Sequence, residues 1–259
     1  MSGTWAVIVA AGRGSRLGTD TPKQYLKVGN HSILSLTLKK FYSHPDIDNI
    51  LVVIHPDDEE LFQKECAKYV DVVQIQHGGK TRQESVRLGL KAVEQHAPSN
   101  VLIHDAARPF VSNDVITDLV IQTNRGNSAI AASPLIDSLK FALNGTIKNN
   151  VDRQGMWHAQ TPQAFPYELI LKSHLTVKDQ YNFTDDASVA EACGHKLSIV
   201  QSGKENFKIT SPEDLAHAKL ILKSEYLMES RTGFGYDVHC FEEGDHVTLC
   251  GVDIPHTKK

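Results

Sequence analysis

The feature that most constrains the fold of this chain is an alternation of short apolar runs with longer segments of helical spacing. Runs such as 5–11 and 100–106 are apolar at nearly every position and rich in β-branched residues, as strands buried on both faces of a parallel sheet are. The alternation predicts an α/β domain of three layers, with a mainly parallel sheet and right-handed crossovers. The predicted strands are 5–11, 49–55, 72–76, 100–106, 128–133 and 197–201, and the predicted helices are 32–43, 57–69, 81–96, 113–124 and 211–228.

A glycine-rich stretch, AAGRGSRLG at 10–18, follows the first predicted strand. Its glycines stand at 12, 14 and 18, which matches neither the G-x-G-x-x-G of dinucleotide-binding folds nor the G-x-x-x-x-G-K-[ST] of P-loops. The remaining interpretation is a turn whose backbone amides approach a phosphate, with Arg13, Arg16 and Lys23 as cations close in sequence. A tight turn with solvated arginines is the alternative.

Asp105 ends the predicted strand 100–106, at the edge where α/β sheets bind their ligands. A carboxylate there suits a divalent cation that bridges phosphate oxygens, although it can equally cap the next turn or pair with Arg108. Lys208, in a short predicted strand, either meets an anion or is solvated. Several cations around one carboxylate suit phosphoryl or nucleotidyl transfer, in which catalysis is largely positioning and charge neutralisation.

Composition argues against several classes of function. The chain has 259 residues, a formal net charge of -4 and no lysine-rich block, so a nucleic-acid partner is not expected. No apolar run approaches the ~20 residues of a membrane-spanning helix, so no membrane role is expected either. The N-terminus lacks the pattern of a secretory leader and the four cysteines are scattered, which together favour a cytoplasmic protein.

The segment 138–153 departs from the α/β alternation. Two short alternating runs flank Asn144-Gly145, a dipeptide that favours a type I′ turn, and this predicts a β-hairpin. A protruding hairpin has little core of its own and needs a surface to pack on. The hypothesis is therefore that 138–153 is an arm through which two copies of the chain form a homodimer.

The helix predicted at 211–228 closes the first domain, with Ser211 as N-cap and Pro212 at the first helical position. The composition changes after it, and a boundary near 229 divides the chain into domains 1–229 and 230–259. Thirty residues are too few for an independent core without a metal, disulfides or a partner.

Six stretches occur in this order: AAGRGSRLG…TPKQYL, GGKTRQESVRLGL, HDAARPF, VDRQGMWHAQTPQAF, TDDASVAEACG and NFKITSPEDLAHAK. Over 1–228 the chain thereby resembles the 2-C-methyl-D-erythritol 4-phosphate cytidylyltransferases of the non-mevalonate isoprenoid pathway, whose fold is a Rossmann-like nucleotidyltransferase domain. The resemblance implies that 2-C-methyl-D-erythritol 4-phosphate attacks CTP in the presence of Mg²⁺, giving 4-diphosphocytidyl-2-C-methyl-D-erythritol and pyrophosphate.

The same resemblance assigns roles to individual residues. Arg16 and Lys23 would stabilise the charge that grows on the α-phosphate, and Asp105 would help to hold Mg²⁺. The positions that would bind CTP are Ala10, Ala11, Gly12, Gly14, Lys23, Gly79, Ser85, Asp105 and Ala106. The positions that would orient methylerythritol phosphate are Ser138, Arg153, Thr161 and Lys208. In the family the hairpin interlocks two subunits and brings Arg153 to the neighbouring site, in agreement with the homodimer hypothesis.

The end of the chain resembles a second family. RTGFGYDVHCF…GVDIPH is similar to the opening of 2-C-methyl-D-erythritol 2,4-cyclodiphosphate synthases, which follow the cytidylyltransferase in some bacterial bifunctional enzymes. Asp237 and His239 match the D-x-H metal pair of that family, a spacing that puts both side chains on one face of a strand and suits Zn²⁺. The third metal histidine and most of that fold would lie beyond Lys259. Residues 230–259 are therefore expected to be an incomplete fragment, without this lyase activity.

Three alternatives differ from the main interpretation. A nucleotidyltransferase for another sugar or polyol phosphate would use the same loop and Lys23, although the segments around Arg153 and Lys208 favour methylerythritol phosphate. A nicotinamide dehydrogenase is disfavoured by the glycine spacing. A non-catalytic binding protein would be expected to lack Arg16, Lys23 or Asp105, and all three are present.

Overall fold

The computed structural model describes residues 3–13, 21–178, 183–227, 233, 235 and 243–255. The strands are β1 (Thr4–Ala10), β2 (Lys27–Val28), β3 (His31–Ser32), β4 (Asn49–Ile54), β5 (Gln74–His77), β6 (Asn100–Asp105), β7 (Ser128–Pro134), β8 (Leu139–Leu143), β9 (Thr146–Val151), β10 (Trp157–Pro166), β11 (Leu197–Gln201), β12 (His246–Leu249) and β13 (Val252–Pro255). The α-helices are α1 (Ile33–Tyr42), α2 (Glu59–Glu65), α3 (Arg82–Ala92), α4 (Asn113–Asn124), α5 (Tyr167–Thr176), α6 (Asp186–Ala192) and α7 (Pro212–Leu227).

The centre of the fold is a twisted sheet whose strand order is β11-β7-β10-β6-β1-β4-β5. β1 pairs in parallel with β4 and β6, β4 with β5, and β7 with β11. β10 runs antiparallel between β6 and β7. The predicted α/β class with a mainly parallel sheet is confirmed, and six of the predicted strands belong to this sheet. The short strand predicted around Lys208 does not form, since 207–210 is irregular.

Helices cover both faces of the sheet, because successive side chains of a strand point to opposite faces. Ala6, Ile8 and Ala10 of β1 pack in one apolar cluster with side chains of α1, α2 and α4. Trp5 and Val7 of the same strand pack in a second cluster with side chains of α3, α5 and α6. The two clusters make the three layers that the sequence pattern predicts.

The sequence prediction differs from the structure in several elements of the first domain. The antiparallel strand β10 and the helices α5 and α6 were not predicted, and the single helix expected at 57–69 is a short α2 flanked by two 3₁₀ turns. β10 carries buried polar side chains, among them Gln160, Thr161 and Gln163, so it lacks the apolar pattern of its neighbours. Its polar groups are satisfied by residues far away in sequence, as when Gln163 Nε2 donates to Asp185 Oδ2 at 2.8 Å.

The segment 138–153 contains the predicted hairpin. β8 and β9 pair antiparallel, with Leu143 opposite Thr146 across Asn144-Gly145. Both turn residues have positive φ, 50° for Asn144 and 75° for Gly145, as a type I′ turn requires. The hairpin exposes Phe141, Leu143 and Ile147, so the described residues leave about half or more of each of these apolar side chains uncovered.

By compactness the chain divides into one unit, Met1–Lys223, and a second, Ser224–Lys259, six residues before the boundary expected from composition. In the second unit the described residues form an antiparallel pair, β12 with β13, whose Val252 and Ile254 are exposed. Among the helices of the described residues, none combines the length and apolar character needed to cross a membrane.

Candidate active site

A pocket of about 410 Å³ opens at the carboxyl ends of β1, β4 and β6. This is the edge at which open α/β sheets bind ligands. The pocket brings together most of the residues expected to bind CTP, together with one expected to orient the acceptor. Its lining includes Ala10, Ala11, Gly12, Lys23, Gly79, Ser85, Asp105, Ala106 and Lys208.

One wall of the pocket is the turn that leads into α3. Ser85 Oγ accepts from the backbone N–H of Gly79 at 3.0 Å and donates to Thr81 O at 2.8 Å, which fixes the turn against the helix. A Cβ at Gly79 would overlap the side chain of Glu84, so a larger residue here would displace that side chain. Thr81 Oγ1 accepts from the N–H of Glu84 at 3.1 Å, and Glu84 Oε2 accepts from the N–H of Lys80 at 2.7 Å. Side chains of α3 therefore stabilise the turn that contains Gly79.

Asp105 is the electrostatic centre of the pocket. Its carboxylate, 10% exposed, lies 3.1 Å from Arg82 Nε through Oδ1 and 2.8 Å from Lys208 Nζ through Oδ2. Arg108 Nε lies 3.7 Å from the same Oδ2. Asp105 thus pairs with Arg108, as one of the alternatives expected, and Lys208 has a carboxylate partner instead of being solvated.

The cations determine the charge state of Asp105. Burial alone would raise the pKa of this carboxyl, but Arg82 and Lys208 hold it well below its usual range. Asp105 is therefore ionised at neutral pH. A permanently charged carboxylate can hold a metal ion that bridges phosphate oxygens. It also keeps the surrounding cations in place.

Arg82 connects Asp105 to a second buried carboxylate. Its Nη2 lies 2.9 Å from Asp186 Oδ2, and the other oxygen of Asp186 lies 3.1 Å from Nε2 of the buried His174. Burial would lower the pKa of Arg82, but Asp186 and Asp105 raise it, so this guanidinium remains charged. The sequence reasoning missed Arg82 and Asp186. The position of Arg82 directly after the N-cap Thr81 was the available signal, since a first-turn side chain of α3 lies at the strand-end edge.

Thr161, on β10, lies behind Asp105. Its hydroxyl accepts from the Asp105 backbone N–H at 3.0 Å and lies 3.0 Å from His104 Nδ1, while His104 Nε2 lies 3.0 Å from Arg108 O. A carbonyl can only accept, so His104 donates from Nε2 and its Nδ1 accepts the Thr161 hydroxyl proton. This places a neutral histidine under the pocket floor.

Acid is expected to destabilise the protein through His104. Burial lowers its pKa from 6.5 to about 4, so between these values the unfolded chain binds a proton that the folded chain excludes. The stability contribution is fully present above pH 6.5 and is lost as the pH falls towards 4, about 3 kcal/mol in all. Urea denaturation at pH 7, 6, 5 and 4 measures it. In His104→Gln the midpoint changes less over this range, whereas the exposed His31→Gln retains the wild-type dependence. A His104→Gln profile parallel to that of the wild type would contradict the assignment.

Arg13 lies immediately before residues 14–20, which contain Gly14, Arg16 and Gly18 of the glycine-rich stretch, and Lys23 lies after them. Lys23, in a short 3₁₀ helix, donates from Nζ to Ile209 O at 3.3 Å, next in sequence to Lys208. Arg13 was expected to offer a cation to phosphate, but its guanidinium contacts Asp57, Asp58 and His55. Gly14 and Arg16 of the stretch, like Asp237 and His239 of the second unit, lie outside the described residues.

Ser138 and Arg153 are exposed and do not line the pocket. They flank the hairpin, and the neighbouring Asp137 lines a shallower groove together with His158, Lys204 and Lys208. Lys208 faces both this groove and the pocket, so the two are adjacent. Within the part of the chain that the structure describes, no three His, Cys, Asp or Glu side chains are arranged to hold a metal ion.

The α/β sheet and the cation-lined pocket at its strand ends define a nucleotidyltransferase. The family model of IspD, 2-C-methyl-D-erythritol 4-phosphate cytidylyltransferase, matches residues 4–224. The chain belongs to this family.

Relatives and solved structures agree with the family. The bifunctional enzyme IspD/IspF of Mesorhizobium japonicum is 46% identical over 263 residues, an alignment that covers 99% of this chain and 65% of the relative. The 2-C-methyl-D-erythritol 4-phosphate cytidylyltransferase (IspD) of Francisella tularensis superposes with a TM-score of 0.72 at 33% identity, covering 85% of this chain and 99% of the other. The bifunctional IspDF of Campylobacter jejuni gives 0.68 at 26% identity, covering 99% of this chain and 64% of the other. The chain thus spans about two thirds of the length of its bifunctional relatives, slightly less for the two compared here.

Proposed function

We propose that this chain transfers CMP from CTP to 2-C-methyl-D-erythritol 4-phosphate and releases pyrophosphate, as a step of isoprenoid biosynthesis. The observation that carries the proposal is the family match over 4–224, together with a pocket that contains the matching residues of four separate segments. A phosphate oxygen of the acceptor forms a bond to the α-phosphorus of CTP, and the bond from that phosphorus to the bridging oxygen of pyrophosphate breaks. No net oxidation or reduction occurs.

The nucleotide would bind along β1 and the start of α3. Ala10, Ala11 and Gly12 present backbone at the end of β1, and the wall at Gly79 and Ser85 provides a narrow surface for the cytosine base. The cations at Lys23 and Lys208 approach the pocket from one side, which suits a triphosphate. Arg16 and Gly14 are assigned here from their sequence positions alone.

Mg²⁺ fits the donor set of this pocket. Mg²⁺ is commonly held by one or two carboxylates together with substrate phosphates. Asp105 lines the pocket, and a carboxylate offers about four acceptor directions, more than the contacts to Arg82 and Lys208 occupy. Asp105 would hold the ion, which when bound would neutralise charge on the triphosphate oxygens. Arg82 keeps Asp105 ionised and oriented, and Thr161 fixes its backbone.

The acceptor phosphate would lie on the Lys208 side of the pocket. Lys208 borders both the pocket and the adjacent groove, so an anion there lies within reach of the α-phosphate. Ser138 and Arg153, which lie at the base of a hairpin, would complete the binding site for the acceptor phosphate. We propose that the exposed apolar side chains of the hairpin, Phe141, Leu143 and Ile147, pack on a second copy and that the homodimer places Arg153 in the partner's site.

Arg153→Ala is expected to raise KM for methylerythritol phosphate about tenfold or more with a small effect on kcat, since a positioning contact to the substrate phosphate is lost. The matched control is Lys148→Ala, an exposed cation of the same hairpin. Steady-state pyrophosphate release at varied acceptor concentration measures both constants.

Mixing inactive protomers tests the dimer. If Arg153 acts in the partner's site, a heterodimer of Lys23→Ala and Arg153→Ala protomers has one complete site. Activity at low acceptor concentration is then regained on mixing. A mixture that is no more active than its components, while sedimentation reports dimers that exchange subunits, would place Arg153 in its own chain's site.

Pyrophosphate release from a panel of nucleoside triphosphates and polyol phosphates tests the proposed function, with and without Mg²⁺. CTP with methylerythritol phosphate is expected to be the preferred pair. Turnover of another sugar or polyol phosphate in its place would favour the second candidate, a nucleotidyltransferase of different acceptor specificity. Absence of turnover with CTP and methylerythritol phosphate would refute the proposal.

We also propose a reducing, cytoplasmic location, which the free thiols of Cys66, Cys193 and Cys250 support. The second activity named for the bifunctional relatives is not part of the proposal for this chain. Asp237 and His239 remain a predicted divalent-metal pair that the described residues do not test.

A further inference from the structure

A buried carboxylate outside the pocket contacts both flanks of the glycine-rich stretch. Asp58, 1% exposed, lies in the 3₁₀ turn that follows β4. Its Oδ1 accepts from Arg13 Nη1 at 2.9 Å, and its Oδ2 lies 3.4 Å from Gln24 Nε2. Arg13 precedes the stretch 14–20 and Gln24 follows it, so one carboxylate joins two segments that are separated in sequence.

Both contacting side chains are themselves anchored. The buried Gln24 donates from Nε2 to Ala10 O at 2.6 Å, which ties it to the end of β1. Arg13 Nη2 lies 2.6 Å from Asp57 Oδ2 and 2.7 Å from His55 Nδ1. The guanidinium thus spans three acceptors beyond the end of β4. A guanidinium presents its five donors from separate nitrogens in a planar fork, whereas an ammonium group offers three donors from one atom.

The adjacent residues make this arrangement relevant to catalysis. Lys23, which the proposed function places at the α-phosphate, directly precedes Gln24 in the 3₁₀ helix Lys23–Tyr25. Gly12 directly precedes Arg13 and lines the pocket. A shift of either flank would move a pocket residue, and displacement by about 1 Å costs up to 10²-fold in rate when catalysis depends on positioning.

We propose that Arg13, Asp58 and Gln24 form a clamp, the loop clamp, that positions both flanks of the glycine-rich stretch for transfer. Arg13 and Asp58 are positioning residues in this scheme, and Arg13 is not a phosphate ligand. The inference rests on the proposed function only through its kinetic consequence. The clamp itself is a structural coupling between 10–13 and 21–26.

The two possible roles of Arg13 predict different effects of the Asp58→Asn substitution on CTP binding and kcat. If Arg13 binds phosphate, Asp58→Asn releases the guanidinium from a competing anion, and CTP binding improves. If the loop clamp operates, Asp58→Asn and Arg13→Gln both lower kcat, and the double variant loses little more than either single variant, because both remove the same contact.

The kinetic test compares Arg13→Gln, Arg13→Lys, Asp58→Asn and the double variant with the wild type. Arg13→Gln is expected to lower kcat about fivefold or more and to leave KM for methylerythritol phosphate within about twofold. Arg13→Lys keeps the charge but not the planar fork of donors, so its kcat is expected to lie between those of Arg13→Gln and the wild type. The exposed Arg125→Gln removes an arginine at the end of α4 and keeps wild-type constants. Thermal denaturation verifies that each variant is folded, and the surface-facing Arg13 variants carry the test if Asp58→Asn unfolds.

Hydrogen–deuterium exchange separates the clamp from the proposed function. Arg13→Gln is expected to accelerate exchange in 21–26 as well as in 10–13, although Arg13 belongs only to the first segment. Absence of wild-type turnover would refute the proposed function and leave this measurement to decide on the clamp. Three results would each overturn the loop clamp. The first is a folded Arg13→Gln variant with wild-type kcat and wild-type exchange in 21–26. The others are additive losses of kcat in the double variant and tighter CTP binding by Asp58→Asn.

Discussion

Lys23→Ala is expected to lower kcat for cytidylyl transfer by about 10²- to 10³-fold, the loss typical of one preorganised group that stabilises developing charge. Lys23 Nζ is held at Ile209 O, beside the Lys208–Asp105 ion pair, and this fixes its position before the substrate arrives. A charge that acts mainly in the transition state affects kcat more than binding of the ground state, so KM for CTP changes little.

Single-turnover and steady-state pyrophosphate release measure this effect. Lys39→Ala, which removes an exposed lysine from the last turn of α1, is the matched control. Calorimetric titration with CTP reports whether the loss resides in binding. A Lys23→Ala variant with unchanged kcat would exclude this lysine from the transition state.

Asp105→Asn is expected to impair activity and stability together. The substitution keeps the shape of the side chain but removes the charge that Arg82, Lys208 and Arg108 share, and it leaves buried cations less compensated. Breaking a buried pair from one side costs about 3–5 kcal/mol, and we expect about 3 here because the more exposed Lys208 stays hydrated. Activity falls by about 10²-fold or more, because Mg²⁺ and the ordered cations are affected at once.

The activity loss is measured across a Mg²⁺ titration and the stability loss by urea denaturation. Asp118→Asn, an exposed position of α4, is the control for loss of a carboxylate as such. Activity that is lost while stability is retained would show that the cation cluster does not depend on Asp105. An Asp105→Asn variant with wild-type Mg²⁺ dependence would exclude it as the metal carboxylate.

The local pattern of the chain was sufficient for the parallel part of the fold. Buried parallel strands are apolar on both faces, and this signal is contained in five or six neighbouring residues, as in β1 and β4. The turn at Asn144-Gly145 was equally local, because positive φ at two positions selects those residues. The helix α7 begins where its capping residues predict, with Ser211 Oγ accepting from Asp214 N–H at 3.2 Å.

Other features depend on partners that the local pattern does not contain. β10 was missed because its buried glutamines and threonine are satisfied only after α6 and the strand ends come together. The contacts of Arg13 were not predicted for the same reason: a cation beside a glycine-rich turn suggests phosphate, and only the fold places Asp58 next to it. Arg82 and Asp186 were overlooked because their charges pair across a distance of more than a hundred residues.

The sequence by itself determined the α/β class and the edge of the sheet that carries the pocket, because these follow from local apolar periodicity, whereas most of the residues expected there came from the resemblance of its motifs to a family. The tertiary structure alone decided which charges are paired: Asp105 with Arg82 and Lys208, and Asp58 with Arg13. A buried charge is stable only beside its partner, and that partner is chosen by how the strands and helices pack rather than by its distance along the chain.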